Sequence, residues 1–160
     1  MSIPQSGGGQ ITSFHQLAEL MESGNKPKAD WRIGTEHEKF GWLEGSFAPL
    51  PYAGDRSISA LFAGLESRFG WTPVREGDNV IGLQRNGANI SLEPGGQFEL
   101  SGAMMPDMHE TAAELRLHLE EVAAIADPMG VRFMGIGAAP EWSHAQMPVM
   151  PKGRYRLMTD

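Results

Sequence analysis

The chain contains no cysteine. That excludes disulfide staples, thiolate metal sites and a cysteine nucleophile within it, and it suits a reducing compartment, so a cytoplasmic location is expected. Basic residues are the minority: 13 Lys+Arg face 20 Asp+Glu, for a formal charge of −7. A nucleic-acid-binding domain normally carries the opposite surplus, so no nucleic-acid partner is expected. No apolar run approaches the roughly 18 residues of a membrane span, and no membrane partner is expected. The opening MSIPQSGGGQ has neither the basic start nor the apolar core of a signal peptide. What is present is an ordinary mixture, 41% hydrophobic and 21% charged, long enough at 160 residues for one domain with a sizeable core. Glycine (20) and proline (11) predict many turns between short elements.

Residues 1–11 are small and polar and read as a flexible lead-in, leaving 12–160 as the domain. Ser13 with Gln16 forms a capping-box pattern ahead of Phe14, Leu17, Leu20 and Met21, a short amphipathic helix that Gly24 would stop. Trp31 to Trp42 suits a strand, with Arg32, Gly34, Glu36, Glu38 and Phe40 on one face because side chains repeat every second residue. Ile58, Leu61, Phe62, Leu65 and Phe69 predict a helix ended by Gly70. Asn86-Gly87 between alternating runs signals a hairpin of Val80–Gln84 with Asn89–Glu93. Gln97–Ser101 resumes extended structure, with Gln97, Glu99 and Ser101 sharing a face. Asp107 with Glu110 opens a third helix whose buried stripe is expected at Ala112, Leu115, Leu119, Val122 and Ala126. Val131–Ile136 reads as a strand, and Pro140, Pro148 and Pro151 suggest a loop-like path to the end. Antiparallel-type strands with segregated helices define an α+β class. No turn residue or polar tail follows Arg156, which suggests a piece of a longer protein.

Three stretches could carry chemistry. In Thr35–Gly41, Glu36 and Glu38 stand on one strand face, and two carboxylates there repel unless a cation lies between them. Hard divalent ions such as Mg²⁺ take such oxygen ligands. A solvated edge strand would carry the same residues. In Ile90–Gly102, Glu93 and Glu99 face away from the core residues beside them, and Pro94-Gly95-Gly96 could bend the chain so that both reach one place. A plain turn with outward glutamates is the alternative. In Pro148–Arg156, Lys152, Arg154, Arg156 and Tyr155 could form an anion site, since arginine forks onto carboxylate or phosphate with two parallel bonds. A basic surface loop is the alternative there. His15, His109, His118 and His144 show no ligand spacing, and Trp31, Trp42, Trp71 and Trp142 read as packing groups.

In this order, Gly34–Phe40 (GTEHEKF), Ile90–Gly102 (ISLEPGGQFELSG), the helix start at His109–Leu119 and Met150–Tyr155 (MPKGRY) resemble the glutamate–cysteine ligases of the plant and proteobacterial type. Gly153, where a residue such as Ala is common, is a mild departure. The resemblance implies a glutamine-synthetase-like antiparallel sheet funnel with outer helices, incomplete in this chain. It implies ATP-dependent joining of the γ-carboxylate of L-glutamate to the amine of L-cysteine through γ-glutamyl phosphate, the first step of glutathione synthesis. It also implies Mg²⁺ with ATP as co-substrate, Glu36, Glu38, Glu93 and Glu99 as metal ligands supported by Gln97, and Arg154 with Lys152 as catalytic cations. On this resemblance the chain alone is expected to be poorly active. A related ligase with another acceptor amine, or a non-catalytic metal- or nucleotide-binding fragment, would use the same motifs. Neither a general base nor an oligomeric state is visible.

Overall fold

The computed structural model describes residues 8–139 and 141–159. The expected lead-in lies partly outside them, as do Pro140 and Asp160, and the side chain of Arg156 is not described. Six strands form one open sheet: β1 (Glu36–Leu43), β2 (Thr72–Glu76), β3 (Asn79–Arg85), β4 (Ala88–Leu92), β5 (Phe98–Ser101) and β6 (Val131–Met134). Their spatial order is β2-β3-β4-β5-β1-β6, and every pairing is antiparallel. The α+β class and the open, unclosed funnel thus agree with expectation. The helices are α1 (Phe14–Glu22), α2 (Ile58–Phe69), α3 (Met108–Ala126) and α4 (Gly153–Thr159). No helix among the described residues is long and apolar enough to cross a membrane.

One sheet face carries the core. Alternation sends Leu83, Ile90, Leu92, Phe98 and Leu100 to that face, where they pack under Ile58, Phe62 and Leu65 of α2 and Val122 and Ala126 of α3. The opposite face holds Glu36, Glu38, Ser91, Glu93 and Glu99. The β3–β4 hairpin turns at Asn86 and Gly87, both at positive φ (51° and 87°), as an Asn-Gly turn requires.

Four expectations need correction. The first strand starts at Glu36, not Trp31; a short 3-10 turn at Lys28–Asp30 and one bridge, Ile33 to Met105, occupy the earlier residues. β2 was not anticipated. It is an edge strand that contains Pro73, the kind of position that tolerates a missing N–H. The final segment is not loop-like throughout, because Gly153–Thr159 is helical. The buried stripe of α3 is rotated: it holds His118, Glu121, Val122 and Ala126, while Leu119 is 41% exposed and Ala112 is exposed. Two buried polar contacts fix that rotation. Glu121 accepts two hydrogen bonds from the Arg85 guanidinium (2.9 Å each) and one from the Trp71 indole (2.9 Å). The His118 Nε2 lies 2.8 Å from the Lys39 ammonium.

Candidate active site

The site grows from strand register. Glu38 of β1 stands directly opposite Glu99 of β5, and Glu36 opposite Ser101. Facing residues of an antiparallel pair have Cβ atoms about 5 Å apart, and like charges there repel. The fold keeps this pairing and supports it. Glu99 is 5% exposed and accepts from the Ser101 hydroxyl (2.7 Å) and the Ser91 hydroxyl (3.2 Å). Gln97 donates from its amide to Glu38 (3.0 Å). Glu36, Glu38, Glu93, Gln97 and Glu99, with Arg154, line one open hollow of about 380 Å³. All four glutamates expected as metal ligands therefore meet in one place, with the expected Gln97 among them.

The Pro94-Gly95-Gly96 bend makes this convergence possible. Gly95 and Gly96 adopt φ of 73° and 79°, a region that disfavours side chains. The space beside Gly95 is filled by the Met147 methyl, and that beside Gly96 by Met150. The chain's own 144–151 segment therefore packs closely against these glycines. That packing delivers Met150, Lys152 and Tyr155 beneath the end of β4 and brings Arg154 to the rim.

The two expected catalytic cations part company. Arg154 lines the hollow and donates through Nη2 to Glu93 (3.0 and 3.3 Å) and to the Tyr155 hydroxyl (3.2 Å). The Tyr155 bond is the largest influence holding its guanidinium firmly protonated. Lys152 does not line the hollow. It is 3% exposed, and its ammonium donates to the Leu92 carbonyl (2.7 Å), which also accepts from the Tyr155 hydroxyl (2.8 Å). Burial lowers the Lys152 pKa to about 8, with Glu93 pulling the other way. Its geometry is that of a group that fixes the strand end, not one that meets a ligand.

Sequence reasoning missed the support beneath the site. Lys39 lies on the core face between the two outward residues Glu38 and Phe40, 1% exposed, beside His118 and 5.1 Å above the Phe98 ring. Burial lowers its pKa to about 7. The signal was available in the alternation of β1, which sends a lysine inward.

Magnesium suits this donor set. The hollow offers carboxylate and amide oxygens, the hard ligands Mg²⁺ prefers. Among the described residues no three acidic or histidine side chains stand close enough to close around one ion. One or two carboxylates per ion is the usual share when phosphate oxygens and water complete the shell.

Fold and site together define an α+β protein with one helix-packed sheet face and one acidic face that holds an open hollow. Within that class the chain belongs to glutamate-cysteine ligase family 2 (GCS2), whose family model matches residues 32–160. It is 52% identical over 142 residues to the chloroplastic glutamate–cysteine ligase of Medicago truncatula, 51% to that of Nicotiana tabacum and 49% to that of Arabidopsis thaliana. Each comparison covers 89% of this chain but 27% of the relative, so the chain spans about a quarter of their length. These names overturn the expected cytoplasmic location, since all three relatives are named as chloroplastic. The absence of cysteine is a weak guide to compartment, because thiols are simply not required by this part of the fold.

Proposed function

We propose that this chain supplies the acidic, metal- and phosphate-handling face of a glutamate–cysteine ligase that uses ATP and Mg²⁺. The observation that carries the reading is the direct opposition of Glu38 and Glu99 in a hollow shared with Glu36, Glu93 and Arg154. Unpaired, those carboxylates would repel both one another and a nucleotide. Bound Mg²⁺ supplies the charge that neutralises phosphate oxygens during phosphoryl transfer. Glu36, Glu38, Glu93 and Glu99 would hold it, with Gln97 orienting Glu38.

In the proposed reaction an oxygen of the glutamate γ-carboxylate attacks the γ-phosphorus of ATP and ADP leaves. The cysteine amine then attacks the acyl carbon, the C–O bond to phosphate breaks, and the amine's proton goes to the departing phosphate. Ser91 and Ser101 keep Glu99 fixed through this cycle. Arg154 exchanges its bond to Glu93 for a substrate carboxylate or the transferring phosphoryl group. Lys152 and Tyr155 hold the β4 end so that Glu93 and Arg154 stay in register.

Calorimetric titration with Mg·ATP tests the reading. Glu99→Gln removes one charge and keeps the shape, and it should weaken binding at least about tenfold, the scale of a lost charge-assisted contact. Unchanged affinity would remove the metal assignment. In the full-length enzyme, ADP release should require both L-glutamate and L-cysteine, and equal release with other amines would reassign the acceptor.

A further inference from the structure

A second recess continues the acidic face along β1. We propose that it seats the adenine base of the nucleotide whose phosphates the carboxylate hollow receives, an inference that rests on the function proposed above. Phe40 and Trp42 lie on the same face of β1 as Glu36 and Glu38, about 7 and 14 Å beyond Glu38 at the strand's usual rise. With Phe47 and Trp142 they line a recess of about 240 Å³. Ile136 joins the two regions. It borders the recess and also the surface at Glu36 and Glu38, and its carbonyl accepts from the same Gln97 amide that holds Glu38.

The recess is built, not incidental. Phe47 has φ 54°, a left-handed conformation rare for a bulky residue, and its side chain is 69% exposed. Its carbonyl accepts a 2.8 Å hydrogen bond from the indole N–H of Trp142, 95 residues away. Trp142 in turn meets Phe40 edge to face, with centroids 5.9 Å apart at 80°. Core packing does not account for an exposed aromatic held in such a backbone. Trp142, held by its indole bond and its edge contact, and the exposed Phe47 ring beside it offer flat faces on which a base stacks. Exposed Glu141 lies at the rim, where its carboxylate can accept from the exocyclic amine of adenine.

The test compares Mg·ATP with Mg·tripolyphosphate, which has the phosphates without the base, in calorimetric titrations of the chain and its variants. The unaltered chain should bind Mg·ATP more tightly. Trp142→Ala and Phe47→Ala should each weaken Mg·ATP roughly tenfold, the scale of one base–aromatic stack, and leave tripolyphosphate within about twofold. Trp142→Phe, which keeps an aromatic face, should restore most of the loss, and circular dichroism checks that each variant is folded. Equal affinity for the two ligands in the unaltered chain, or a Trp142→Ala effect that is nil or the same for both, overturns the recess and leaves the metal site standing. If neither ligand binds, or Glu99→Gln leaves tripolyphosphate affinity unchanged, the metal reading itself falls and takes the recess with it.

Discussion

Lys39 and His118 show how much one buried contact can impose on its surroundings. The Lys39 ammonium can donate to His118 Nε2 only when that nitrogen is unprotonated, and the opposite ring nitrogen, Nδ1, has no hydrogen-bond partner among the described residues. Burial first, then the charge of Lys39, lowers the His118 pKa from 6.5 to about 2. The unfolded chain therefore takes up a proton near pH 6.5 that the folded chain refuses until about pH 2. The His118 contribution to stability is full above pH 6.5 and is lost progressively as pH falls through that window. His118→Gln keeps an acceptor for Lys39 without a titrating ring. Its stability, followed by urea denaturation between pH 7 and 4, should fall less steeply than that of the unaltered chain, by up to about 1.4 kcal/mol per pH unit. Parallel profiles would refute the assignment. At this scale the outward carboxylates were legible, because period-two alternation fixes Glu36 with Glu38 and Glu93 with Ser91. The fate of Lys152 was not. Nothing in MPKGRY distinguishes an ammonium that reaches a ligand from one that caps the Leu92 carbonyl.

Elements owe their placement to pairs that propensity does not reveal. The three longer helices were readable from apolar spacing and caps, down to the Ser13 and Asp107 side chains that accept from the first-turn amides. The rotation of α3 was not, because nothing in the apolar spacing marks Glu121 as a buried position. Its carboxylate is 7% exposed against an Arg85 side chain that is 22% exposed. Removing one member of such a pair strands the other, so Glu121→Ala should cost about 3 kcal/mol in urea unfolding, and the Glu121→Leu, Arg85→Met double variant clearly less. Equal losses would mean that packing, not charge pairing, sets the helix rotation. The Pro94-Gly95-Gly96 bend makes a second case. Gly95→Ala both strains a backbone at φ 73° and intrudes on Met147, so a loss of about 1–2 kcal/mol is expected. Adding Met147→Ala frees the space but not the dihedral, and should recover only part of it. Full recovery in thermal unfolding would locate the whole effect in the side-chain overlap. β2 and α4 escaped the sequence reading because each is short and has a proline or glycine at its start, and α4 is placed by a partner far along the chain, Glu76, which accepts from the Gly153 amide (2.7 Å).

At the scale of the molecule, the sheet divides two kinds of energetics. Its packed face gains stability by excluding water. Its other face gathers carboxylates that oppose folding through mutual repulsion, on a chain that already carries a net charge of −7. The register that sets Glu38 against Glu99 is fixed by the apolar alternation on the packed face, since a one-residue slip would send Phe98 and Leu100 to water. The acidic face is therefore a consequence of the core's register and cannot relax without unfolding the sheet. A divalent ion that binds only the folded face must then raise stability by mass action. At a hundred times its dissociation constant, Mg²⁺ should add about 2.7 kcal/mol. For a chain of this length that corresponds to a rise in melting temperature of roughly 5–10 °C. Sodium chloride at matched ionic strength screens the same charges without bridging them, so it should raise the melting temperature much less. Glu99→Gln should start from a higher melting temperature in the absence of Mg²⁺, because one repelling charge is gone, and should gain less when the ion is added. That crossing of the two effects separates a built cation site from general screening. A melting temperature that responds to sodium and magnesium alike, in both proteins, would leave the acidic face as repulsion without a purpose.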